Sequence, residues 1–169
     1  LTQDTEYFEV AKDSDVVKKI VRTYNGINCI VTNTTTTHEK LVQYNCSDWD
    51  FILSRAKSCE RIVLVDKNEL QFVKPAPTSS ALELTYGDDI IDFNLDVDAK
   101  SQRKSIVVKG WDADTHSYKE ASAQEPNIVK QGGSLTGSTL ADSLNFKEEV
   151  IMASSQLDTD ELKDIANSK

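Results

Sequence analysis

The residues of this chain that could do chemistry are its carboxylates, two histidines, three cysteines and a glycine pair, and their spacing limits what each can do. Asp88 and Asp89 lie side by side after Gly87, and Asp92, Asp96 and Asp98 follow. A general acid–base pair needs two carboxylates in different surroundings, so that their pKa values separate. Asp92, Asp96 and Asp98 fall on one predicted solvent face with nothing to bury either partner, and they read as solvated. The D-x-D-x-D-G run and closing Glu of a calcium loop are absent. His38 follows a threonine run and His116 lies in a predicted hairpin turn. Neither has a G-x-S-x-G elbow or a cysteine-protease context beside it. Gly132-Gly133-Ser134 lacks the G-K-[ST] ending of a phosphate cradle and reads as a flexible loop. Cys29, Cys46 and Cys59 are odd in number and show no C-x-x-C spacing, so they read as small buried thiols in a reducing compartment. A zinc site would have to recruit His38 or His116 to them and is not expected. We therefore expect no catalytic residue, no cofactor-binding residue, no metal ligand and no enzymatic activity.

Bulk charge excludes another class. Lys and Arg total 19 against 28 Asp and Glu, a formal net charge of −9. Such a chain repels phosphate backbones, and no nucleic-acid partner is expected. The nearest approach to an anion site is Lys100, Arg103 and Lys104 in a short turn. No apolar run approaches the roughly 20 residues needed to cross a bilayer, so no membrane insertion is expected. No signal-peptide pattern opens the chain. Leu1 at the start, and a helical pattern cut at Lys169, lead us to expect a piece of a longer protein.

The elements that must position these residues follow from periodicity. Val16, Val17, Ile20, Val21 and Tyr24 share one helical face, with Asp13 or Ser14 as cap and Gly26 as the left-handed C′ residue. Residues 27–31 read as a short strand, 34–37 as a loop and 39–44 as a second strand. Ser47 with Asp50 forms a capping box and Cys46 with Phe51 a hydrophobic staple, opening a helix with Trp49, Ile52, Leu53 and Ala56 on its core stripe. A hairpin of 62–65 and 70–73 turns at Asp66-Lys67-Asn68. The prolines of 75–80 mark a linker. Beyond it, 91–98 alternates apolar and polar residues, as a strand with one dry face does, and 105–111 and 115–123 read as its meander partners. Residues 145–153 suggest one further strand. Asp158 with Glu161, and Leu157 with Leu162, open a last helix. The predicted fold class is α+β: antiparallel β-barrel or meander modules with two to three short helices. We expect an α+β module over 1–75, with capped helices at about 13–25 and 47–59 and a hairpin at 61–74. A mainly β module follows over 76–155, with a flexible loop at about 124–140, and then the start of a truncated helix over 156–169.

Two stretches carry a family pattern. Leu41-Val42-Gln43-Tyr44-Asn45-Cys46-Ser47-Asp48-Trp49-Asp50-Phe51-Ile52-Leu53-Ser54-Arg55-Ala56 resembles a segment of the VgrG/Rhs-element Vgr family. A second block resembles the same family in order and approximate spacing. It runs from Leu82-Glu83-Leu84-Thr85-Tyr86-Gly87-Asp88-Asp89-Ile90 through Asp98-Ala99-Lys100-Ser101-Gln102 to Val108-Lys109-Gly110-Trp111-Asp112. With their flanks the blocks cover roughly 13–123, and Leu157-Asp158-Thr159-Asp160-Glu161-Leu162 is similar to the start of the family's late helix.

The resemblance implies an internal section of the hub of a type VI secretion or contractile phage-tail-like system, joining a tube to a puncturing spike. It implies a phage-tail-hub-like fold related to phage late control protein D. It further implies a homotrimer in the full-length protein, contacts with an Hcp-like tube protein and baseplate components, and assembly in a bacterial cytoplasm before secretion or injection. The alternative is a stand-alone carbohydrate- or peptide-binding β module. That would need a concave surface with exposed rings such as Trp111, Tyr118 or Tyr86.

Overall fold

The computed structural model describes residues 3–76, 82–94, 96, 100, 102–124 and 136–169. The chain divides into two compact units, each discontinuous in sequence. The larger holds 1–75, 106–124 and 150–169, and the smaller holds 76–105 and 125–149. The fold is α+β, with small sheets and four helices among the described residues, where no sheet closes into a barrel.

The larger unit begins with a strand that the sequence reading missed. β1 (Asp4–Lys12) pairs antiparallel with β3 (Thr37–Cys46), placing Phe8 opposite Leu41 and Tyr7 opposite Val42. Phe8 and Leu41 face the core, and Phe8 stacks on Phe51 with ring centroids 5.9 Å apart. Three residues on, Ala11 and His38 are opposite each other, and both turn inward too. A period of two would send them outward. Val10, with φ of +47° between Phe8 and Ala11, breaks the alternation. This is a rare conformation for a β-branched residue, and the same break hid β1 from a periodicity search.

α1 (Asp13–Val21) follows β1 without a loop and buries Val16, Val17, Ile20 and Val21, as their spacing predicts. Its start differs from expectation: Lys12 is the N-cap and makes no side-chain cap bond, while Asp13 and Ser14 are buried. The end comes early as well. The Thr23 hydroxyl donates to the Ile20 carbonyl at 2.7 Å, and the Tyr24 amide donates to Val21 at 3.0 Å. These tight bonds close the last turn, so Tyr24 is exposed outside the helix and Gly26 takes its positive φ in the turn beyond.

β2 (Asn28–Val31) pairs parallel with β5 (Glu69–Val73), which pairs antiparallel with β4 (Ile62–Asp66). The predicted hairpin is therefore present, with Lys67 taking the left-handed conformation in its turn. The parallel partner was not foreseen. α2 (Asp48–Ser58) links β3 to β4 in the chain, and Ser47 accepts from the Asp50 amide at 3.1 Å. The reverse half of the expected capping box is replaced: the Asp50 carboxylate holds the Ser47 hydroxyl at 2.6 Å. The apolar cluster of this layer centres on Phe72, Val16, Val17, Ile52, Phe51 and Ala56.

β6 (Ile106–Asp112) is the central strand of a third sheet, flanked by β7 (Ser117–Ser122) and β8 (Glu149–Met152). At its turn Asp112 accepts from Lys119 at 2.9 Å and from the Asp114 amide at 3.0 Å. Lys119, then the Thr115 hydroxyl, holds the Asp112 carboxyl down at about 2. α4 (Thr159–Asn167) packs here, with Leu162 and Ala166 joining Val108 in a separate apolar cluster. Gly110 admits this approach, since a Cβ there would meet Leu162 Cδ2 at 3.2 Å. The Asp158–Glu161 capping box is complete, as predicted.

In the smaller unit, Thr85 through Ile90 form a tight turn. The Thr85 carbonyl accepts from the amides of Asp88, Asp89 and Ile90, and Gly87 supplies a φ of +94°. The predicted strand over 91–98 is not found: residues 91–94 carry no ladder and Ile91 is 93% exposed, while 95 and 97–98 lie outside the described residues. Ile91 and Phe93, the apolar positions of the alternation within 91–94, are both exposed. α3 (Gly137–Ser143) occupies part of the expected 124–140 loop, capped by Thr136. The remaining residues of that loop, 125–135, lie outside the described residues.

Candidate functional site

The acidic residues weighed from sequence do not converge. Asp88, Asp89, Asp92 and Asp96 are exposed, and Asp98 lies outside the described residues. Asp89 accepts from the Thr85 amide at 3.1 Å, which ties it into the turn. Of the basic trio, Arg103 pairs with Glu149 at 2.6 Å and Lys104 with Asp142 at 2.9 Å. Gly132, Gly133 and Ser134 lie outside the described residues. His116 is exposed in the β6–β7 turn. All three cysteines are free thiols, with Cys59 buried and its thiol pushed up to about 12, chiefly by burial.

His38, set aside in the sequence reading, stands in the most concentrated set of buried charge in the described residues. Its Nε2 lies 2.8 Å from Asp13 Oδ2 and its Nδ1 lies 2.5 Å from Glu161 Oε1. Arg55 Nε donates to the other Asp13 oxygen at 2.5 Å. Four elements meet here. β3 presents His38 on the buried side, opposite Ala11, and α1 starts directly on Asp13. The Ile52, Ala56 and Cys59 stripe of α2 carries Arg55 to the same face, and Glu161 opens α4. Glu161 works twice, since its Oε2 also accepts from the Asp158 amide at 3.1 Å. One turn along α4, Asp164 accepts from the Thr36 hydroxyl at 2.5 Å.

The geometry assigns a protonation state. A neutral imidazole has one donor nitrogen and one acceptor nitrogen, yet both nitrogens of His38 face carboxylate oxygens. An imidazolium satisfies both. The Arg55 Nη2 contact to Nε2, at 3.2 Å, is the longer one and fits only a neutral ring; the shorter carboxylate contact decides against it. Burial alone would lower the His38 pKa, but hydrogen bonds to Asp13 and Glu161 outweigh it and raise it. Burial alone would likewise raise Asp13, and the bonds from His38 and Arg55 hold it below the usual carboxylate range. Asp164 is raised, first by burial and then by the Asp13 charge, against the lowering bond from Thr36. The charges of the set are spent on one another: each oxygen of Asp13 and each ring nitrogen of His38 has a partner within it. Its chemistry is that of a tie between elements. The one sequence signal was Arg55, a charged residue amid the core positions of α2, which calls for a buried anion.

The other surfaces that stand out are apolar and exposed. On the outer face of β1–β3, Tyr7 and Tyr44 are 69% and 75% exposed, with Val42 opposite Tyr7. On the outer face of the mixed sheet, Ile30 and Leu64 flank Gln71, and all lie in register. A groove of about 360 Å³ among α1, α2 and the β4–β5 hairpin is lined by Tyr24, Ile27, Trp49 and Val65 over the buried Val21, Ile52 and Leu70. Trp49 was expected in the core and is partly exposed instead. Trp111 and Tyr118 form an exposed cross-strand edge-to-face pair, centroids 5.1 Å apart, and Tyr86 is exposed too.

The fold is similar to that of a 43 kDa tail protein of prophage MuSo2 from Shewanella oneidensis, with a TM-score of 0.54 and 11% identity over 92% of this chain. It is also similar to a tail protein from Neisseria meningitidis MC58, with a TM-score of 0.58 and 11% identity over 98% of this chain. The chain spans 42% and 48% of those two proteins, less than half of either. No curated protein matches it in sequence. The family whose model matches is that of the Alg8 N-terminal domain, over residues 1–169, and not the Vgr family that the sequence blocks resemble. The chain belongs to the Alg8 N-terminal domain family.

Proposed function

We propose that this chain is a non-enzymatic, structural segment of a contractile injection machine, in the hub region that joins tube to puncturing spike, as in VgrG-like proteins. The observation that carries the reading is the contrast between inside and outside. Buried charges pair with one another, while large apolar side chains stand on the outer faces of two sheets. Exposed apolar faces of this kind mark surfaces that other chains cover. The tail-protein fold and the two Vgr-like sequence blocks support the same reading. In it, the full-length protein is a homotrimer that meets an Hcp-like tube protein and baseplate components. It assembles in a bacterial cytoplasm and leaves as part of the spike.

The test is the full-length protein carrying Tyr7→Glu and Tyr44→Glu. Light scattering should give a trimer for the parent and a smaller species for the variant, with unchanged circular dichroism. A parent that stays monomeric and fails to enter purified particles would sink the proposal. The exposed Trp111–Tyr118 pair favours a second reading, a carbohydrate- or peptide-binding module. In that case Trp111→Ala would abolish binding on a glycan or peptide array and leave assembly intact.

A further inference from the structure

The larger unit contains two separate apolar clusters, one under β1–β3 with α1 and α2, the other between β6–β7 and α4. Polar contacts cross between them at α4: Thr36 to Asp164 and His38 to Glu161. We propose that His38 is a proton-controlled clasp, which as an imidazolium bridges Asp13 at the start of α1 to Glu161 at the start of α4, and whose deprotonation loosens that seam.

Charge balance gives the mechanism. With His38 protonated, two cations (His38 and Arg55) face Asp13, Glu161 and Asp164. Once the proton leaves to solvent, Arg55 alone faces three carboxylates, two of them on α4. The ring then has one N–H for two carboxylates, so one of the two ties is lost whichever nitrogen gives up the proton. Where Nε2 gives up the proton, its lone pair can accept from Arg55 Nη2, 3.2 Å away, while Arg55 Nε keeps its bond to Asp13, so the tie that is lost is the one from the His38 ring to Asp13. Among the described residues, the charged groups acting on the ring are Asp13, Glu161 and Arg55. β1 puts Ala11 opposite His38, the Thr36 hydroxyl is given to Asp164, and the Cys59 thiol, at the end of α2, is given to the Arg55 carbonyl. Glu60 and Arg61, just after α2, act on Asp164 and Cys59 respectively.

The sign follows from the directions of the shifts. His38's pKa is raised on folding, so its contribution is full below the unfolded value of about 6.5 and is lost as pH rises through the folded value. Asp13 is lowered, so its contribution is present above the unfolded value of about 3.9 and is lost as pH falls through its folded value. Asp164 is raised and works the other way, its strain easing as pH falls. The clasp is closed between these limits and opens on the alkaline side.

The experiment uses the 169-residue chain, whose two histidines give two ring signals in a proton–carbon NMR titration, assigned with His116→Gln. His38 should titrate above about 6.5. Hydrogen exchange of the α4 amides, corrected for the intrinsic pH dependence, should rise as pH passes that midpoint. Glu161→Gln keeps the capping-box acceptor while removing the charge, and should lower the His38 midpoint. His38→Gln should erase the pH step in exchange. A His38 midpoint at or below 6.5, a midpoint unmoved by Glu161→Gln, or α4 exchange that ignores it would each overturn the proposal.

Discussion

Replacing Arg55 with Ala tests whether the buried charges hold the larger unit together. The Asp13 side chain is 1% exposed and that of Arg55 is 18% exposed. Removing one partner of a buried ion pair leaves an uncompensated charge, at a cost of about 3–5 kcal/mol. Here His38 still donates to one Asp13 oxygen, and the opening at Arg55 admits water, so the low end applies: about 3 kcal/mol. For a chain of this size each kcal/mol moves Tm by about 2–4 °C, so the variant should melt about 6–12 °C lower. Arg55→Lys keeps the charge without the fixed guanidinium fork and should fall in between. Calorimetry and urea unfolding at pH 7 measure both. In the double variant with Asp13→Asn, the loss should be smaller than the sum of the single losses by at least about 0.5 kcal/mol. A fall in Tm under about 2 °C, or strictly additive losses, would mean that the cluster is a bystander.

Three further expectations concern single sites. Leu162→Ala empties the centre of the second apolar cluster and should cost about 2–5 kcal/mol in urea unfolding, whereas Gly110→Val overpacks the same contact and should cost about 1–3 kcal/mol. Asp158→Ala removes the α4 cap and should cost about 1 kcal/mol, read as a Tm shift and as faster amide exchange in the first turn of the helix. Cys59, buried and with its thiol pushed up to about 12, should resist Ellman's reagent at pH 8 until the protein unfolds; immediate labelling of all three cysteines would contradict its burial.

Local chemistry was readable without a structure wherever one segment carries its own instructions. The Ser47 and Asp158 caps, the buried face of α1 and the β4–β5 hairpin each depend on residues a few positions apart. The breaks in those rules were where reading failed. Val10 interrupts the alternation of β1, and the bonds of Thr23 and Tyr24 close α1 before its apolar pattern ends. At 91–94 an alternating pattern promised a strand and none formed, because alternation supplies a possible dry face but not something to cover it.

The sequence by itself thus determined the α+β class and the starts of α2 and α4, which rest on short-range spacing. Only the tertiary structure decided the parallel pairing of β2 with β5, which joins segments some 40 residues apart and follows from no local pattern. It also decided the state of His38, which depends on Asp13, 25 positions before it, and on Glu161, 123 positions after it. A histidine's charge is set by the groups packed against it in space, and no spacing along this chain announces that those two carboxylates meet at one ring.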